Sequence, residues 1–255
     1  MSDRALQDVV LRALADGPFR ASREWQRRAL ADPVRVERFA RFLARHFYHE
    51  RIVHFFKYSR ALARVTDRRP EAVLRSPAFD ALLPTMVLGG RDTARAVAGL
   101  VAGHVVHGAA AARVPYLEEL LRYESAMMIA EAGPRVWRDD EPPKRDDDGA
   151  PETVEGTALL ELAYDLPAVL PQLLAPWADV PQAPARPITL LVARSRHGRV
   201  TVARADSVVS RVVELADGRR TPEELARATG LGPGELEAAL AGLSELGAVR
   251  FATGS

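Results

Sequence analysis

The densest run of side chains able to do chemistry is His46-Phe-Tyr-His49-Glu50-Arg-Ile-Val-His54. On a helix, His46, Glu50 and His54 fall at i, i+4 and i+8, so two imidazoles and a carboxylate share one stripe and could ligate a divalent metal. His104 and His107 stand together in a later apolar run, and Glu118, Glu119 and Glu124 in a third. A helical di-iron oxidase builds its centre from carboxylates on several helices, typically as Glu-x-x-His pairs. The chain has Glu50-x-x-x-His54 and no Glu-x-x-His. The histidines therefore read first as core or interface groups, and a metal at His46, Glu50 and His54 is the lesser reading. Nucleophilic catalysis has no support, because there is no Gly-x-Ser-x-Gly elbow and no cysteine. Leu88-Gly-Gly-Arg91 is too short to cradle a phosphate and reads as a corner. No catalytic residue is assigned.

These residues sit in a chain of 255 residues with 47% apolar content, enough for one large or two ordinary domains with real cores. The absence of cysteine removes disulfides and thiolate metal sites and suits a reducing cytoplasm. The start lacks a basic and then apolar signal, and no apolar run approaches the ~20 residues that span a bilayer. A cytoplasmic protein without a membrane partner is expected. Net charge is +1 but uneven: residues 1–70 hold sixteen Arg or Lys against eight acids, whereas 139–155 holds eight acids against two bases. The first reads as solvated helix faces and the second as an acidic linker.

The first half is patterned as helices throughout. Leu6, Val9, Val10, Leu11 and Leu14 make one apolar stripe, stopped at Asp16-Gly17-Pro18. Ser22 caps a short second helix. Pro33 opens a long one that keeps helical spacing to Asp67, too long for one ordinary helix, so a break is expected near His49. Short helices follow Pro70 and Pro77, Asp92 caps another, and Pro115 begins the last, closed by Gly133-Pro134. From 138 to 156 the composition turns to Asp, Glu, Pro and Gly, a flexible linker.

Beyond the linker, Ala158 to Tyr164 reads as a strand, Pro167 to Leu174 as a short helix, and Pro176 to Pro187 as an extended connector. Ile188-Thr-Leu-Leu-Val-Ala-Arg194 and Arg199-Val-Thr-Val-Ala-Arg204 then flank His197-Gly198, which makes a β-ribbon. Three helix-sized patterns follow. Asp206 or Ser207 can cap the first, and Asp217-Gly218 ends it. Thr221-Pro-Glu-Glu224 carries a capping box with Pro at the first helical position. Gly230-Leu-Gly-Pro233 is a tight corner, and the third helix ends near Gly247, before a strand or extended tail at Ala248 to Phe251. This is a winged-helix-like module. Its third helix carries Glu235, Glu237 and Glu245 and no Lys or Arg, which repels a phosphate array and argues against nucleic acid as a partner.

The run of two strands and then Ala205-Asp-Ser-Val-Val-Ser-Arg-Val-Val-Glu-Leu-Ala-Asp-Gly-Arg-Arg-Thr-Pro-Glu-Glu-Leu-Ala226 resembles the PqqD-type module, the recognition element for precursors of ribosomally made, modified peptides. The resemblance implies that a leader peptide adds as an extra strand and lies between the ribbon and the third helix. The residues it singles out are Arg199, Val200, Thr201, Val202, Ala203 and Arg204 on the edge, with Leu236, Ala239, Leu240 and Leu243 lining the cleft.

A second resemblance lies in Pro115-Tyr-Leu-Glu-Glu-Leu-Leu-Arg-Tyr-Glu124, which is similar to a helix in the partner proteins of multinuclear non-haem iron oxidative enzymes, the smaller subunit of methanobactin synthase among them. It implies a non-catalytic accessory subunit. The iron would sit in a separate TIM-barrel enzyme, not in this chain, and the helical half would dock that enzyme through Tyr116, Arg122, Tyr123 and Glu124. The expected architecture is α+β: an all-helical, partner-docking domain over 1–135, an acidic linker over 136–156, and a winged-helix-like peptide-binding domain over 157–255. The alternatives are a winged-helix DNA-binding regulator with a sensory helical domain and, more remotely, a helical di-iron oxidase.

Overall fold

The computed structural model describes residues 3–27, 32–107, 112–133, 149–195 and 197–251, and within these the protein is α+β. It divides into two compact units, Met1–Ser125 with Leu173–Val180, and Ala126–Gln172 with Pro181–Ser255. The expected boundaries differ from this division. The last residues of the helix that begins at Leu117 group with the second unit, as do those from 149 to 156, which were expected to be linker. The remainder of the expected linker, 136–148, lies outside the described residues.

The first unit is helical. Its elements are α1 (Asp3–Ala15), α2 (Gly17–Ala21), α3 (Arg23–Gln26), α4 (Pro33–Phe55), α5 (Lys57–Ala61), α6 (Ala63–Thr66), a 3₁₀ turn (Pro70–Arg75), α7 (Pro77–Leu82), α8 (Arg91–Val106) and α9 (Leu117–Glu131). Local chemistry sets most of their ends. Asp16 accepts from the Phe19 N–H at 2.8 Å, Ser22 from Trp25 at 3.2 Å, and Ser76 from Phe79 at 3.2 Å. At α8 the cap position is Gly90, with Asp92 inside the first turn, where its charge still suits the helix dipole. Tyr48, Ile52, Phe56, Phe79, Val97, Val101, Leu120 and Leu121 fill the core.

The break in the long helix falls at Phe56, not near His49. Phe56 has no side chain able to cap α5. The cap comes instead from α9: one oxygen of Glu124 accepts the N–H groups of Tyr58 at 2.8 Å and Ser59 at 3.2 Å, and the other meets the Ser59 hydroxyl. These N–H groups are among the orphan donors of the first turn of α5.

The second unit contains β1 (Pro151–Thr153), β2 (Ala158–Leu162), α10 (Leu166–Leu174, which runs past the unit's boundary), β3 (Ile188–Arg194), β4 (Val200–Ala205), α11 (Ser207–Leu215), α12 (Pro222–Thr229), α13 (Pro233–Leu246) and β5 (Val249–Phe251). The ribbon β3–β4 gains β2 as a third antiparallel strand, in the order β2-β3-β4. The final run is a paired strand rather than a tail, because β5 lies antiparallel to β1. Asp206 caps α11 by accepting from Val209 at 2.8 Å. The capping box of Thr221 and Glu224 closes in both directions, at 3.3 and 3.0 Å. Leu191 and Ala193 of β3 pack with Val212, Leu225, Leu236, Leu240, Leu243 and Val249 in one core. Among the described residues, no helix is long and apolar enough to cross a membrane.

Candidate functional site

The open strand is β4, and its geometry follows from the hairpin. The Gly198 N–H donates to Ser195 O at 2.8 Å, a turn that needs the positive φ of 76° at Gly198. The Ser195 N–H donates to Arg199 O at 2.8 Å, one step along the register that pairs Arg194 with Val200. Antiparallel alternation then turns the N–H and C=O groups of Thr201, Ala203 and Ala205 toward β3. Those of Val200, Val202 and Arg204 point outward, and among the described residues no strand pairs with that side.

Side-chain alternation sorts the same residues by face. Thr201, Ala203 and Ala205 lie on the face of Leu191 and Ala193, toward the helices, whereas Val200, Val202 and Arg204 share the opposite face with Leu190 and Val192. Arg204 is pinned: its Nη2 donates to both oxygens of Asp165, at 2.8 and 3.0 Å, and Arg186 reaches the same carboxylate. The Asp165 side chain is only 1% exposed. Hydrogen bonding by Arg204, with further help from Arg186, holds its carboxyl below the usual carboxylate range despite desolvation. Sequence reasoning overlooked Asp165. Its position just after a strand and before the Leu-Pro start of a helix is the one signal that marked it.

Leu236, Leu240 and Leu243 are buried in the module's own core, and Ala239 is half-buried. Between ribbon and third helix the polar link is Thr201, whose hydroxyl donates to Leu246 O at 3.1 Å. Gly247 lies there too, with φ 78° and space so tight that a Cβ would stand 2.1 Å from Arg194 O. A wide groove opens elsewhere, between α12 and α13. It encloses about 1370 Å³, and Leu236 and Leu240 are the two expected cleft residues that line it. Ala226, Leu231, Ala241 and Phe251 add to its apolar lining. Its rim carries Glu223, Glu237 and Glu245 against Arg227 and His197. Apolar periodicity predicted the inward face of α13 but not the neighbour that leaves a gap beside it.

The expected docking residues of the helical unit divide. Arg122 is exposed, but Tyr116 and Tyr123 are buried and Glu124 is 0% exposed. Burial pushes both tyrosine hydroxyls up to about 12. Three side chains expected to meet a partner are thus part of the unit's own interior. The outward aromatic surface is on α4, where Phe39 and Phe42 are 48% and 60% exposed and stacked at 6.3 Å.

His46 stacks on Phe42 with centroids 6.2 Å apart, His54 meets the edge of Phe55 at 4.7 Å, and Glu50 sits 3.3 Å from His49 Nδ1. All three stripe residues are exposed. Among the described residues, no three His, Asp or Glu side chains converge as a metal-holding group. No protein-family model matches the chain, and no curated protein is significantly similar to it.

Proposed function

We propose that this chain is an accessory, peptide-binding subunit: it takes an extended segment of a ribosomally made precursor onto the outer edge of β4 and presents it to a separate multinuclear iron enzyme. The observation that carries the reading is the row of outward N–H and C=O groups at Val200, Val202 and Arg204, beside a sheet that is already folded. Such an edge recognises backbone, so it gives affinity without demanding one sequence, and side chains alternating above and below it set the register. The resemblance of the module to peptide-recognition elements supports the same reading. The helical unit would dock the enzyme, with Arg122 and the outward Phe39 and Phe42 as contact residues in place of the buried tyrosines. A DNA-binding role is disfavoured by the exposed Glu235, Glu237 and Glu245 of α13.

The test is a selection of random twelve-residue peptides against the full chain, followed by amide NMR of the winners. Changes should concentrate at the Val200, Val202 and Arg204 N–H groups. Val202→Pro removes one outward donor and leaves every β3–β4 ladder bond in place, so it should weaken binding at least tenfold without unfolding the chain. Selected peptides that bind Val202→Pro as well as the parent would remove the edge from consideration. Docking is tested by co-elution with a TIM-barrel iron enzyme from the same gene neighbourhood. Phe42→Glu should abolish co-elution, and independent elution of the parent chain would end that half of the proposal.

A further inference from the structure

The groove between α12 and α13 is a second recognition surface, and its chemistry differs from that of the β4 edge. Its floor is apolar: Leu236 and Leu240 are core side chains whose outer surfaces line the opening, flanked by Leu231 and Phe251. Its walls are charged, and mostly of one sign. Glu237 and Glu245 project from α13 eight residues apart with Ala241 between them, so the three form one line down the helix with a small residue at its centre. Glu223 stands on α12, and its own backbone N–H, followed by the Thr221 hydroxyl, holds its carboxyl below the ordinary range, so it is anionic at neutral pH. Among the described residues that line the groove, Arg227 is the one Arg or Lys.

The groove follows α13 from Pro233 to Glu245, twelve helical steps. At ~1.5 Å per residue that is about 18 Å, the length of a three-turn helix. A small residue at the centre of one wall, between two carboxylates, leaves room for a cylinder rather than a flat strand. An apolar floor with acidic walls is complementary to one kind of surface: a helix apolar along one stripe and bearing Lys or Arg beside it. We infer that this groove docks a short, basic, amphipathic helix supplied by a partner polypeptide. The inference does not rest on the β4 edge, which contributes no residue to the groove.

The probe is a fluorescein-labelled fourteen-residue peptide with Leu at helical spacing and Lys on both flanks. Its counterpart carries Glu in place of Lys. Anisotropy with the full chain should show saturable binding of the Lys peptide and at least tenfold weaker binding of the Glu peptide. Both Glu237 and Glu245 are exposed, so the Glu237→Lys, Glu245→Lys double variant should fold normally by circular dichroism and bind the Lys peptide at least tenfold more weakly. Ala241→Trp fills the middle of the groove and should abolish binding by a different route. Val202→Pro should leave the affinity within twofold, which separates this site from the edge. Absence of saturable binding, equal affinity for the two peptides, or indifference to both groove variants would overturn the inference. So would self-association of the parent chain that Ala241→Trp abolishes, because the occupant would then be a second copy.

Discussion

Glu124 offers the sharpest test of how the helical unit is held together. Its carboxyl is fully buried, and burial pushes its pKa from 4.5 up to about 8, against the opposing influence of the Ser59 hydroxyl, the N–H groups of Ser59 and Tyr58, and the Lys57 charge. An acid whose pKa is raised by folding is held in its protonated form by the fold. The folded chain therefore keeps a proton that the unfolded chain releases above pH 4.5. The stability this group contributes is fully present below that value and is lost progressively as pH rises toward about 8. At ~1.4 kcal/mol per pH unit the loss is about 5 kcal/mol at most.

Glu124→Gln isolates the charge. The amide oxygen still accepts from the Tyr58 and Ser59 N–H groups, and the amide nitrogen can donate to the Ser59 hydroxyl oxygen once that hydroxyl, which donates to Glu124 in the parent, turns its proton away. Urea unfolding followed by far-UV circular dichroism should give Gln and Glu forms of similar stability near about pH 5. The Gln form should be the more stable by several kcal/mol near about pH 9. Glu124→Ala should instead be destabilised at every pH, because the buried Ser59 N–H loses its acceptor at ~1–3 kcal/mol and the part-buried Tyr58 N–H loses the same partner. A Gln variant whose stability curve runs parallel to that of the parent across this range would refute the argument. Glu124 would then titrate alike in the folded and unfolded chains.

Three further outcomes are expected. Gly247→Ala forces a Cβ into Arg194 O at a left-handed position, and its cost, on the order of 3 kcal/mol, should appear as a large drop in the unfolding midpoint. Asp165→Asn should lower the thermal midpoint at neutral pH. Because Arg204 and Arg186 lower the folded pKa of this carboxyl, the difference from the parent should shrink as pH falls through and below that value. Thr221→Ala removes half of the capping box at the entry to α12 and should cost about 1 kcal/mol in urea unfolding.

Where the sequence foretold structure, the determinants were local. Asp206 caps α11, Thr221 and Glu224 box the start of α12, and Gly247 ends α13, each through atoms a few residues apart. Distance in sequence explains what was missed. The helix break moved to Phe56 because the cap that permits it arrives from Glu124, sixty-six residues from Tyr58. The same helix motif that suggested outward anchors has Tyr116, Tyr123 and Glu124 turned inward, since an apolar or aromatic residue looks alike whether its own fold or a partner covers it. β2 joined the ribbon, and β5 found β1, through pairings that no local pattern encodes. For the proposed site, the edge of β4 was legible from the hairpin, but the groove opens on the α12 side of α13, where Leu236 and Leu240 show their outer surfaces, and not on the ribbon side where the cleft was expected.

The central strand of the sheet, β3, is buried on both faces, at Leu191 and Ala193 on one and Leu190 and Val192 on the other, whereas β4 beside it is only partly covered, with Val202 37% exposed. Pairing to that buried strand along its inner side orients the outward backbone groups of β4, and Asp165 ties down Arg204 at the far end. An incoming segment meets an ordered template and bears only the ordering cost of its own chain. Main-chain pairing of this kind is indifferent to side-chain charge, whereas the α12–α13 groove is flanked by three exposed carboxylates, so the helix proposed to dock there would be selected by charge. Salt separates the two contributions, because a Debye length of ~10 Å at 0.1 M shrinks to ~3 Å at 1 M. Added salt should strip the groove's preference for a basic helix while leaving strand addition at Val200, Val202 and Arg204 intact. A partner that engages both surfaces would then lose part of its affinity and keep its register.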